Sequence, residues 1–352
     1  MTTAEDNHSA VHTAEGTPNI TELLADDTAA CEPVAEFARR VSDQVGQTVV
    51  GQSVVVERVM IALLTGGHLL LEGVPGIAKT LLVQAVSKAI QLDFRRVQFT
   101  IDLLPSDILG SEVLDQSTGA FRIHKGPVFT NLLLADEINR ASPKVQSALL
   151  EAMQERRVSI GDETHGLPAP FLVIATQNPV EQAGTFELPE AQLDRFMLCH
   201  RLGYPKPDDE KEVVRRALQL KLKREGAGAV PMSAFDAISN DERLAARDLT
   251  EAMERVQAVH VSEVFINECV ELVGRTRNHP HLVLGCSPRA ALSLVQASRA
   301  RAFIYGREYT IPEDLFALAE DVIMHRVRLS YEALADGLRT KQVIDELLES
   351  LV

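Results

Sequence analysis

Eight consecutive residues, Gly73-Val74-Pro75-Gly76-Ile77-Ala78-Lys79-Thr80, combine a glycine-punctuated turn with a lysine and a hydroxyl. The apolar run Leu69–Leu71 ahead of them reads as a buried strand. From Leu81 onward, Leu81, Ala85 and Ala89 and then Leu82, Val86 and Ile90 recur at helical spacing. Strand, glycine turn and helix start in that order make a cradle for phosphate: the turn aims backbone N–H groups inward, and the helix N-terminus adds positive potential. In such a cradle Lys79 reaches the β- and γ-phosphates and Thr80 offers its hydroxyl to Mg²⁺. An ordinary βα turn accounts for Gly73 and Gly76 but gives no reason for Lys-Thr at the helix start. Ala78 stands where a glycine commonly precedes the lysine.

Asn131–Glu137 is a second apolar strand, and it ends in two carboxylates, Asp136 and Glu137. Strands buried on both faces belong to parallel α/β sheets, whose ligands sit at the carboxyl ends, so both carboxylates are expected beside the phosphate loop. Asp136 is suited there to holding Mg²⁺, through water or Thr80, and Glu137 to polarising an attacking water. A third strand, Phe171–Ala175, runs on to Thr176-Gln177-Asn178, where Asn178 can contact that water or the γ-phosphate. Hydrolysis of ATP needs these parts, together with cations for the charge that develops at the γ-phosphate. An Asp-Glu pair by itself is equally well a strand terminator; its coupling to the loop at 73–80 favours chemistry.

The elements that must position these residues read as an α/β domain followed by a helical one. Residues 1–33 carry seven acidic residues and no Lys or Arg, and the first cation is Arg39, which predicts a disordered acidic tail. Val54–Leu64 reads as an amphipathic helix closed by Gly66-Gly67, and Arg96–Thr100 as a strand. Residues 112–124 and 157–167 read as hairpins inserted between core elements, and Phe196–Leu202 as a further strand. Pro205 and Pro207 mark a boundary. The expected organisation is a nucleotide-binding domain over 34–205, a linker over 206–245 and an all-α domain over 246–352. The 352 residues, 45% hydrophobic and 24% charged, fit a soluble globular protein. A net charge of −15 argues against general affinity for nucleic acid or anionic membrane. The four cysteines show no paired spacing, so reduced thiols in the cytoplasm are expected, and no apolar run approaches membrane-spanning length.

From about Val34 to the C-terminus the sequence resembles the MoxR family of AAA+ ATPases. Gly73–Thr80 is similar to that family's Walker A motif, which commonly carries alanine before the lysine. Leu132–Arg140 is similar to its Walker B motif, Ala175–Pro179 to sensor 1, Leu188–Phe196 to the arginine-finger segment, and Ser287-Pro288-Arg289 to sensor 2. The resemblance implies an AAA+ P-loop domain with a parallel sheet, hairpin insertions and an all-α lid. It also implies that Arg195 acts on the ATP of a neighbouring subunit, and that Arg289 touches phosphate of its own or an adjacent protomer. Gly51-Gln52 is similar to the segment that packs by the adenine. Alternatives stand beside these roles: Arg195 could pair with Asp194 or Glu190, and Arg140 could be a second contact or serve only as a salt bridge.

The implied function is ATP hydrolysis with Mg²⁺ by a homo-oligomer, expected as a hexameric ring, that remodels client proteins or inserts metals or cofactors into them. A von Willebrand A domain protein is the implied partner. A nucleic-acid motor and a non-hydrolysing nucleotide switch are the competing readings. The acidic balance weighs against the first, and retention of Glu137, Asn178 and Arg195 against the second.

Overall fold

A computed structural model describes residues 35–73, 79–117, 119–179, 184–220, 222–225, 228–232 and 244–351. The acidic tail lies outside these residues, as do Val74–Ala78 of the phosphate loop. The described residues belong to one compact unit. In chain order the first part holds α1 (Glu36–Gly46), α2 (Ser53–Thr65), β1 (Leu69–Gly73), α3 (Lys79–Ala89), β2 (Phe94–Gln98), α4 (Pro105–Leu109), β3 (Gly110–Asp115) and β4 (Ala120–Lys125). Next come β5 (Leu132–Asp136), α5 (Pro143–Glu155), β6 (Arg157–Ile160), β7 (Glu163–Gly166), β8 (Leu172–Gln177), α6 (Glu190–Leu193) and β9 (Leu198–Leu202).

The central sheet has the order β2-β5-β8-β1-β9, and every pairing in it is parallel. The apolar runs in β1, β5 and β8 follow from burial on both faces. Alternate residues point to opposite sides. Leu69, Leu71, Leu132, Leu134, Leu172 and Ile174 join the cluster formed with α1, α2, α3 and the C-terminal helices. Leu70, Leu133, Ala135, Val173 and Ala175 pack on the other face with α5 and the hairpin bases. The α2 helix, expected to be amphipathic, is buried nearly all round from Val55 to Leu64, because the C-terminal helices cover the face that would otherwise meet water. It ends at Gly66 in the left-handed conformation (φ 65°), as the glycine pair suggested.

Both hairpins form, as β3–β4 and β6–β7. At the base of the first, Gly110 has φ 106°, and a Cβ there would collide with the backbone of His124 and Gly126. The segment read as a linker contains α7 (Pro207–Gln219) and a small antiparallel pair, β10 (Leu222–Glu225) and β11 (Gly228–Pro231). Beyond it lie α8 (Ala246–Ala258), α9 (Glu263–Arg277), α10 (Pro288–Ile304), α11 (Pro312–Ile323), α12 (Tyr331–Ala335) and α13 (Thr340–Glu349). This lid is helical apart from one short ladder, β12 (Leu282–Leu284) with β13 (Arg328–Leu329). Cys199, Cys269 and Cys286 are buried free thiols. No described helix is long and apolar enough to cross a membrane.

Buried ions tie the lid to the sheet domain. Arg58 on α2 donates to Asp321 of α11 at 2.6 Å and to the Ala317 carbonyl at 2.7 Å. His200 on β9 meets the other Asp321 oxygen at 3.0 Å. Removing one partner strands a buried charge, so Asp321→Ala should lower unfolding stability by about 3–5 kcal/mol in urea denaturation.

His68, at the foot of β1, is held as one neutral tautomer. The Val173 N–H donates to Nδ1 at 3.0 Å, and Nε2 donates to the Met153 carbonyl at 3.2 Å. Burial pushes its pKa down from 6.5 to about 4. The unfolded chain therefore takes up this proton first as pH falls. The His68 contribution is complete above about pH 6.5 and falls by roughly 3 kcal/mol on approach to pH 4. His325, also buried and shifted down, acts in the same direction. Urea denaturation at pH 7 and pH 5 should show a smaller pH effect in His68→Gln than in the parent.

Candidate nucleotide site

The carboxyl ends of the five strands converge on the phosphate loop. Gly73 ends β1, and Lys79 and Thr80 open α3, with Leu81 half-buried behind them against the core. Lys79 Nζ donates back to the Gly73 carbonyl at 2.6 Å, across the two ends of the loop. Burial holds the Lys79 pKa below the usual lysine value, against the opposing pull of Asp136, Glu137 and Glu72. Of the residues expected to bind nucleotide, Val74, Pro75, Gly76, Ile77 and Ala78 lie outside the described residues. Gly51 has φ 71° and sits against α7, where a Cβ would run into the Asp209 carboxyl. Gln52 follows it at the N-terminus of α2, its carbonyl accepting from the Val56 N–H.

Asp136 and Glu137 emerge beside this loop, and they differ in how they are held. Asp136 Oδ1 accepts the Thr176 hydroxyl at 2.6 Å, while Oδ2 accepts Arg96 Nη2 at 2.7 Å. Glu137 leaves the strand, turning into the left-handed region at φ 56°, ψ 51°. Its N–H donates to the Thr176 hydroxyl at 2.9 Å. For a non-glycine residue this conformation costs on the order of 1–2 kcal/mol and persists only where the surroundings over-determine it. Here the turn directs the Glu137 side chain to Gln98 Nε2 at 2.9 Å and Arg140 Nε at 2.8 Å. Arg140 thus forms a salt bridge with Glu137. Asn178 is buried just past the end of β8. A hydroxyl and a carboxylate are hard oxygen donors, so Thr80 and Asp136 fit Mg²⁺. The lysine, set at a helix start, fits a phosphate.

Arg195 and Arg289 lie at the other edge of the sheet. Arg195 precedes β9, and the next residues register against the foot of β1, where the Met197 N–H donates to the His68 carbonyl at 2.8 Å. Four residues of β1, Leu69–Glu72, then separate that edge from Gly73, roughly 15 Å of strand. Arg289, in the first turn of α10, shares with Arg195 a cleft of about 340 Å³ that is also lined by Gly66, Arg156 and Arg326. Neither proposed acidic partner of Arg195 pairs with it, although Asp194 lines the same cleft. Asp194 accepts from Arg326 Nε at 2.8 Å and from the Ser287 hydroxyl at 2.8 Å. Glu190 pairs with Arg328 at 2.5 Å. Among the described residues no side chain pairs with the guanidinium of Arg195 or of Arg289.

Arg96, Gln98 and Arg156 escape a reading by motif. Gln98 had a signal, since it stands at the end of a strand next to the carboxylates. Arg156 had none beyond its charge: it reaches the cleft because its left-handed backbone (φ 52°) ends α5 there, where its Nη2 donates to the Gly66 carbonyl at 3.0 Å.

Comparison with known proteins covers both the sheet domain and the helical lid. Residues 68–198 match the model for the ATPase family associated with various cellular activities, and residues 274–347 match an AAA lid domain. Chaperone MoxR1 of Mycobacterium tuberculosis is 41% identical over 98% of this chain and 88% of its own length. Protein MoxR of Methylorubrum extorquens is 31% identical over 90% of this chain and 94% of its own. A solved ATPase-like structure from Cytophaga hutchinsonii, 41% identical, superposes with a TM-score of 0.79 and covers 94% of this chain and 98% of that one. Similarity sustained across both the sheet domain and the lid, around a phosphate loop with paired strand-end carboxylates, means that this chain belongs to the MoxR family of AAA+ ATPases.

Proposed function

We propose that this protein is a magnesium-dependent ATPase that works as a ring, expected to hold six subunits, and remodels client proteins, including the insertion of metals or cofactors into them. The observation that carries the reading is the division of the machinery into two half-sites. Lys79, Thr80, Asp136, Glu137 and Asn178 gather at the carboxyl edge of the sheet. Arg195 and Arg289 share a cleft at the opposite edge, without acidic partners among the described residues. One chain cannot bring both to the same phosphate, whereas neighbouring subunits docked edge to edge can. On this reading both arginines act in trans.

Lys79 binds the β- and γ-phosphates, and Glu137 takes up proton density from the attacking water that Asn178 orients. Thr80 and Asp136 would hold magnesium, which would supply charge neutralisation on the phosphate oxygens. The neighbour's Arg195 stabilises the charge present in the transition state. The exposed face of the β3–β4 hairpin favours a polypeptide over nucleic acid as the object of the work. Leu114 (50% exposed) lies directly opposite Phe121 (68% exposed), with Val113 also open to solvent. A von Willebrand A domain partner and a cytoplasmic setting complete the proposal, supported by the family and by the free thiols respectively.

Lys79→Ala should abolish ATP binding, whereas Glu137→Gln should retain binding and stop phosphate release. Equilibrium binding of a fluorescent ATP analogue and a phosphate-release assay together test this division, and equal loss of binding in both variants would contradict it.

Arg195→Ala should lower turnover by about 10³–10⁵, the range found for arginine fingers. Mixing Arg195→Ala with Lys79→Ala protomers should recover part of the activity, because some interfaces then combine an intact loop with an intact finger. Wild-type turnover by Arg195→Ala alone would sink the assignment.

A further inference from the structure

Arg96 stands on the edge strand β2, outside every motif named above, and its guanidinium is committed twice. Nε at 3.1 Å and Nη2 at 2.7 Å both donate to Asp136 Oδ2, and Nη2 also donates to Gln98 Oε1 at 2.9 Å. Parallel pairing sets Gln98 opposite Asp136 and Arg96 opposite Leu134, and residues two apart share a face of the strand. Because a guanidinium can only donate, it engages the carbonyl oxygen of the Gln98 amide. The Gln98 NH₂ is thereby turned toward Glu137 Oε2, 2.9 Å away. One side chain thus touches the magnesium-type carboxylate directly and the water-activating carboxylate through one amide.

Stability is a poor account of this placement. The Arg96 side chain is 46% exposed, and ion pairs this open contribute little to folding. The electrostatic consequence for the site is larger. A fixed cation shares Asp136 Oδ2 with any divalent ion that the carboxylate is to hold, so the two compete for the same negative charge and repel each other. Asp136 does not depend on Arg96 for its orientation, since Thr176 holds the other oxygen at 2.6 Å. Removing the guanidinium therefore leaves an oriented carboxylate with more charge to offer a metal. It also leaves the Gln98 amide without the contact that turns it toward Glu137.

We propose that Arg96 is a positioning residue that weakens magnesium binding at Asp136 while aligning Gln98 and Glu137 for turnover. The inference rests on the ATPase reading above. Its distinguishing mark is that magnesium affinity and turnover move in opposite directions when Arg96 is neutralised.

The test uses the full chain and follows binding of a fluorescent ATP analogue while MgCl₂ is titrated, with phosphate release measured separately at saturating magnesium. Arg96→Gln should lower the magnesium midpoint for nucleotide binding by about tenfold and reduce kcat. Arg96→Lys keeps the charge but loses the fork, so it should hold the midpoint within about twofold of the parent and still reduce kcat. Gln98→Ala should reduce kcat with the midpoint unchanged. An unchanged or raised midpoint in Arg96→Gln overturns the proposal, as does a parental kcat in Arg96→Lys. If the parent releases no phosphate at any magnesium concentration, the ATPase reading fails and this inference with it; a parent that hydrolyses ATP with magnesium but shows an unmoved midpoint in Arg96→Gln sinks this inference alone.

Discussion

The arrangement depends on one buried ion pair, Arg326 with Asp194. Arg326 lies on the segment after α11 and is 5% exposed. Its Nε binds Asp194, and its Nη atoms reach the carbonyls of Phe196 and Met197. Asp194 in turn accepts the Ser287 hydroxyl, which also accepts the Arg289 N–H at the start of α10. Burial lowers the pKa of the Arg326 guanidinium, and the Asp194 contact opposes that shift. Breaking such a pair leaves an uncompensated buried charge, so the contact is held in one geometry. Two structural consequences follow from it. The lid is fixed to the segment that carries Arg195, and the acidic neighbour that could have neutralised Arg195 is already taken.

The second constraint is the parallel sheet. Every strand ends on the same edge, so backbone topology alone gathers the phosphate loop, Asp136, Glu137 and Asn178. The same topology sends whatever precedes a strand to the opposite edge, which is where Arg195 sits, ahead of β9. Thr176 sharpens the first half-site. Its single hydroxyl donates to the Asp136 carboxylate and accepts from the Glu137 N–H, so one group fixes the side chain of the first residue and the backbone of the next. The left-handed turn at Glu137 follows from this pinning. Separation of the half-sites makes the lone subunit an incomplete enzyme on the proposed reading, and it places catalysis under the control of assembly.

Most of the α/β layer was legible because it obeys local rules. Runs such as Leu132–Leu134 state double-sided burial, Pro143 states a helix start, and Gly66 states a helix end. Local rules mislead where tertiary cover intervenes. The α2 helix carries an amphipathic pattern but is buried on nearly every side, since the lid supplies a second apolar neighbour. Residues 206–245 look like a linker by their prolines and glycines, yet Pro207 opens a helix of thirteen residues whose first turn carries Asp208, Asp209 and Glu210.

The sequence by itself determined which residues make up the first half-site and how they are spaced. Glycines, a lysine, a hydroxyl and strand-end carboxylates act over a few residues, and one strand-turn-helix geometry satisfies them all. Only the tertiary structure decided which cations are spoken for. Arg195 beside Asp194 and Glu190 looks neutralised on paper, but Arg326 and Arg328 arrive from more than a hundred residues away to claim those carboxylates. Arg96 and Gln98 likewise become meaningful only when β2 is laid in register beside β5, so that Gln98 faces Asp136. Coulombic pairing depends on distance in space and on which competing partner is nearer, and chain order encodes neither until the sheet and the lid are packed together.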